Sequence, residues 1–138
     1  MKKFSQYIKE KKVIKKSKDP AQARSLFVQA QERMKDLLTL PLHDSNASFR
    51  FEDAYEVLRE ALHSFLAQEG YKPYSHEAIF SYANEQKLLL DADVYTADRY
   101  RIIRNDINYR AKKVTIEEAR EIIEYIQRII PHLNGKRK

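Results

Sequence analysis

The residues best suited to chemistry are concentrated in one stretch, RYRIIRNDINYRAKKV at positions 99 to 114, which holds four arginines, two asparagines and two tyrosines. Arginine presents a planar fork of donors that matches phosphate oxygens, and it keeps its charge. Asparagine adds neutral donors and an acceptor, and tyrosine a stacking face and a hydroxyl. On a helix each residue turns by about 100°. With Arg101 at zero, Arg104 falls at about −60°, Asn105 at about +40° and Asn108 at about −20° by that turn. These four share one face, and Tyr109 stands at its edge at about +80°. Thr96, Tyr100, Ile103 and Ile107 gather on the opposite side. The polar face suits a nucleotide or an RNA backbone. It also suits a structural arrangement in which Arg101 and Arg104 pair with acids of neighbouring helices.

The charge distribution keeps both readings open. Residues 1 to 18 carry eight lysines and one acid, and the end of the chain adds Lys136, Arg137 and Lys138. Residues 99 to 113 add six bases against one acid, so the rest of the chain has an excess of nine negative charges over its positive ones. The body is therefore acidic, with the positive charge gathered in three places. The basic segments 1–18 and 134–138 read as solvated ends of one domain spanning 1–138. The internal cluster cannot be a tail. The chain has no cysteine, which excludes disulfides and thiolate metal sites and points to a reducing cytoplasm. No apolar run approaches the length of a membrane span, so no membrane partner is expected.

Two glycines and four prolines in 138 residues leave few breaks, and the apolar residues follow helical spacing. The expected fold is all-α: an up-and-down bundle of four to five long helices plus a short N-terminal helix. The short helix is expected over about 2 to 14. A second starts at Asp19-Pro20 and runs to about Leu40. A third spans about 48 to 69 and ends at Gly70, and YKPYS follows as a loop. Ser75 caps a fourth helix reaching about Glu85, and Asp91 caps a fifth reaching about Tyr109. Thr115 and Glu118 form a capping box for the last helix, which is expected to end or kink near Pro131, with Asn134-Gly135 as its stop.

The order of helices, the pair Arg104-Asn105 and the string RNDINYR, leading through a short basic connection into a capped last helix, resemble the HEPN domains of prokaryotes. The signature of that family is an arginine, a polar residue, and a histidine after four to six intervening positions. The resemblance implies a helical homodimer in which the motifs of two subunits line a shared basic cleft. It also implies either a metal-independent endoribonuclease, often of a toxin–antitoxin or defence system with a partner nucleotidyltransferase, or a non-catalytic protein that binds a nucleotide or a partner. By the resemblance, Arg104, Asn105 and Tyr109 are the candidate catalytic residues. Arg101, Arg104, Asn105, Asn108 and Arg110 are the candidate phosphate- or nucleotide-binding residues. Arg104 would stabilise charge on phosphate, and Asn105 would orient ribose or phosphate.

The sequence departs from the signature at its histidine. Tyr109 occupies the position of the shortest motif, followed by Arg110 and Ala111. A free tyrosine titrates near about 10 and histidine near about 6.5, so Tyr109 is the poorer proton carrier at neutral pH. The histidines lie elsewhere, at 43, 63, 76 and 132. None has a metal-ligand spacing, and no metal or cofactor is expected. His63, on the third helix, is the one expected to face the polar patch, whereas His76 reads as a residue near a helix start.

Overall fold

The computed structural model describes residues 2–137. Among them six helices form an all-α bundle, joined by one two-stranded ribbon. The helices are α1 (Phe4–Lys9), α2 (Pro20–Leu37), α3 (Ala47–Glu69), α4 (His76–Glu85), α5 (Asp91–Arg110) and α6 (Ile116–Lys136). The strands are β1 (Val13–Lys15) and β2 (Tyr71–Pro73). No helix among the described residues is long and apolar enough to cross a membrane.

The centre of the bundle is α3, which packs against α2, α4, α5 and α6. A helix enclosed on most sides must be apolar around most of its circumference. Phe51, Ala54, Leu58, Ala61, Leu62 and Leu66 are accordingly buried, and the alanines let neighbouring backbones come close. Phe27 of α2 and Ile122, Ile126 and Ile130 of α6 close over it. Each large side chain removed from water in this way contributes about 1.5–3 kcal/mol. The rotation of α5 is set by Tyr100, which meets Phe51 of α3 edge to face at 5.8 Å and Tyr125 of α6 at 5.3 Å.

Several local expectations hold. The Asp19 carboxylate accepts from the Gln22 amide at 2.9 Å, with Pro20 as the first helical residue. Gly70 closes α3 in the left-handed conformation at φ 85°. Ser75 caps α4, and Thr115 with Glu118 forms a complete capping box on α6.

Others are corrected. Helix α1 stops at Lys9 rather than near residue 14, because Lys11 takes φ 59° and turns the chain back. Val13 and Ile14, β-branched and poor in helices, then form a strand instead. Its partner is the segment expected as a loop: Val13 pairs with Pro73, Ile14 with Lys72 and Lys15 with Tyr71, antiparallel. Helix α2 ends at Leu37, where Thr39 donates to the Asp36 carbonyl through both its amide and its hydroxyl. Asp91 is the first residue of α5 rather than its cap, which is Leu90. Finally, α6 runs through Pro131 and on to Lys136. Proline in a helix interior costs about 3 kcal/mol. Burial of Ile129, Ile130 and Leu133 around it offsets that cost, and Gly135 is not in the left-handed conformation that would terminate the helix.

Candidate functional site

The site forms where the polar side of α5 meets the start of α4 and the middle of α3. Ala97, Tyr100 and Ile103 of α5 are buried and Ile107 partly so, which turns Arg101, Arg104 and Asn105 towards α4. Together with Ser75, His76, Glu77 and Tyr109 they line a depression of about 250 Å³.

The two arginines have different surroundings. Arg101 is largely covered and held by acids: its Nε lies 3.0 Å from Asp98, one turn back, and its Nη1 3.5 Å from Glu77. Glu77 also accepts from the Tyr7 hydroxyl at 3.2 Å, so α1 helps to fix this corner. Burial, and then the Glu77 charge, push Tyr7 up to about 12. For Arg101 the structural pairing is thus realised.

Arg104 has no carboxylate within ion-pair distance among the described residues. Its guanidinium lies 5.8 Å from the centre of the Tyr55 ring, a cation–π contact. The Asn108 carboxamide, oriented so that both of its polar atoms are satisfied, accepts from Arg104 Nε at 2.9 Å and donates to Glu52 at 3.0 Å. Asn108 therefore positions Arg104 and does not line the depression. Arg110 lies outside it too, highly exposed and 3.9 Å from Asp106. Tyr109 is at the rim with 82% of its surface exposed.

The histidine near the arginines is His76. It is the first residue of α4, after the Ser75 cap, and its Nδ1 lies 3.0 Å from the Tyr55 hydroxyl. Burial holds His76 below the usual imidazole range, and the charges of Arg59 and Arg104 push the same way. The ring is thus neutral at pH 7. Nδ1 is engaged by Tyr55, and among the described residues Nε2 has no hydrogen-bond partner. Tyr55 itself is raised well above its ordinary value, chiefly by burial, so its hydroxyl stays protonated. Glu56 nearby is lowered: burial opposes its charge, but the Arg59 side chain, donating at 2.8 Å, outweighs burial.

His63 is not part of this depression. It is half-buried further along α3, where burial and the charges of Arg59 and Lys16 push it down to about 4. Three features of the site were missed from sequence: His76, Tyr55 and Glu77. A signal for His76 was present, because a histidine cation at a helix N-terminus opposes the helix dipole. A histidine in that position belongs with a neutral ring and a role other than capping.

The arrangement can hold an anion at Arg104 and move a proton at a neutral imidazole beside it. No family model, curated protein or solved structure matches the chain, so the reading of this site rests on its own geometry.

Proposed function

We propose that the chain is a HEPN-like protein whose α5–α4 groove binds phosphate groups of RNA and cleaves the strand without a metal. The observation that carries this reading is the pairing of Arg104, a guanidinium with no carboxylate in ion-pair distance among the described residues, with His76, a neutral imidazole in the same depression. Arg104 and Asn105 hold a backbone phosphate. His76 accepts the proton of the adjacent 2′-hydroxyl, whose oxygen attacks phosphorus as the 5′-oxygen leaves and takes a proton from water. The products are a 2′,3′-cyclic phosphate and a 5′-hydroxyl. Arg104 neutralises the charge that builds on the phosphate oxygens. In this reading the part that the family motif gives to a histidine on the motif helix is taken by a histidine on α4.

The same proposal includes a homodimer. Tyr95, Ile102 and Tyr109 lie seven residues apart on α5 and are 83%, 48% and 82% exposed. At about 100° per residue they form one apolar line beside Asn105. A second copy on that line would cover it and bring two grooves together. The resemblance extends the proposal to a toxin–antitoxin or defence role with a nucleotidyltransferase partner, which co-purification of the two proteins would test.

A second reading, a non-catalytic protein that holds a nucleotide or a partner, is favoured by Tyr109 at the motif-histidine position. One experiment separates the two: incubation with mixed labelled RNAs in EDTA, beside Arg104→Ala, His76→Gln and Tyr109→Phe. The cleavage reading expects cyclic-phosphate ends, a loss of at least about 100-fold in His76→Gln, in line with general-base catalysis, and activity retained in Tyr109→Phe. Binding without cleavage that disappears in Arg104→Ala supports the second reading. Neither binding nor cleavage rejects both.

A further inference from the structure

A larger concavity, of about 550 Å³, lies at the opposite end of α4 and shares no lining residue with the His76 groove. It is enclosed by the β1–β2 ribbon and the last turns of α3, α4 and α6. Its wall is aromatic. Phe4 meets Tyr71 at 5.1 Å and Tyr82 at 5.0 Å, both edge to face, and Phe65 also lines the space.

Four cations surround this wall: Lys15, Lys18, Lys136 and Arg137. Among the described residues they face one lining carboxylate, Glu69, which lies 3.8 Å from Lys18. The Lys15 ammonium sits 4.8 Å from the Tyr71 ring centre and the Arg137 guanidinium 4.6 Å from that of Phe27. Helix C-termini carry partial negative charge, which accounts for basic residues at the end of α6. It does not account for Lys15 on β1 or Lys18 on the connection to α2. The carboxamides of Gln68 and Gln86 also line the space, and neither is held by another described group.

Excess positive charge, aromatic faces and free carboxamides in one space correspond to the parts of one ligand class. We infer that this cavity binds a nucleoside phosphate. The base stacks against Tyr71 and Phe65, with its edge read by Gln68 and Gln86, and the phosphates lie among Lys15, Lys18, Lys136 and Arg137. The volume falls within the range of about 300–1,000 Å³ found for small-ligand pockets. The site is independent of the RNA groove and stands whether or not that groove cleaves RNA.

The test is titration of ¹⁵N-labelled protein with AMP, GMP, UMP and their diphosphates, with adenosine and inorganic phosphate as controls. At least one nucleotide is expected to shift the amides of Ser64, Gln68, Tyr71 and Gln86 saturably, at micromolar concentration. Lys15→Ala and Lys136→Ala, both at exposed positions, are expected to weaken that binding at least tenfold while leaving the spectrum folded. Arg104→Ala should leave it unchanged. The inference is overturned if no nucleotide moves these amides at millimolar concentration. It is equally overturned if inorganic phosphate alone binds there as tightly as the nucleotides, or if Arg104→Ala abolishes the shifts.

Discussion

At the scale of single residues, Arg101 and Arg104 of α5 show that a shared face does not mean a shared role. Both project from the same side of α5, yet Arg101 is held between Asp98 and Glu77, while among the described residues no carboxylate lies within ion-pair distance of Arg104. The histidines divide in the same way. His63 is pushed down to about 4 by burial first and by Arg59 and Lys16 after it, whereas an unfolded chain returns it to about 6.5. Below that unfolded value the unfolded state binds the proton and the folded state resists it. The contribution of His63 is therefore complete above about pH 6.5 and is lost as pH falls towards 4. The urea midpoint is expected to decline over that window, and His63→Gln, which does not titrate, should flatten the decline. An unchanged profile in His63→Gln would remove the residue from the pH response.

At the scale of elements, the ribbon and the caps carry specific energetic costs. Gly70 joins α3 to β2 at φ 85°, and a β-carbon there would lie 2.5 Å from the Lys16 carbonyl oxygen. The Lys16 amide in turn donates to the Gly70 carbonyl at 2.8 Å, so β1 cannot withdraw without losing that bond. Gly70→Ala is expected to cost about 1–3 kcal/mol, read as a lower denaturation midpoint. Thr115→Ala removes the oxygen that accepts from the Glu118 amide at 3.1 Å. It should cost about 1 kcal/mol, and hydrogen exchange should rise first in the opening turn of α6. The effect would stay local, because the rest of α6 is held by Ile122, Ile126, Ile129 and Ile130 in the core.

At the scale of the whole molecule, charge and exposed apolar surface act together. The chain carries +6 overall, with the N-terminal lysines adding long-range attraction for a polyanion to whatever the groove contributes. On the proposed reading RNA binding weakens with salt, with a log–log slope of about −0.7 for each single-strand phosphate contacted. The line of Tyr95, Ile102 and Tyr109 is predicted to be covered in a dimer. Ile102→Glu should convert a dimer to a monomer by light scattering without lowering helix content, since Ile102 is already 48% exposed in the single chain. If the wild-type protein is monomeric at high concentration, the dimer is wrong and the groove acts alone.

The sequence by itself determined the helices and most of their boundaries, because helix periodicity, N-caps and capping boxes are read within a few neighbouring residues. It also determined that Arg101, Arg104 and Asn105 share a face, since that follows from the turn of one helix. Where pairing with a distant segment competes with local propensity, local reading fails: Val13 and Ile14 leave an expected helix because 71–73 offers them a strand partner. Pro131 likewise remains within α6 because packing outweighs a local penalty. Only the packing of the helices decides that Arg101 is ion-paired while Arg104 has no carboxylate within ion-pair distance among the described residues, and that the imidazole beside Arg104 is His76 rather than His63. Residues 76 and 104 are far apart in sequence, and only the packing of α4 against α5 and α3 brings their side chains into one depression.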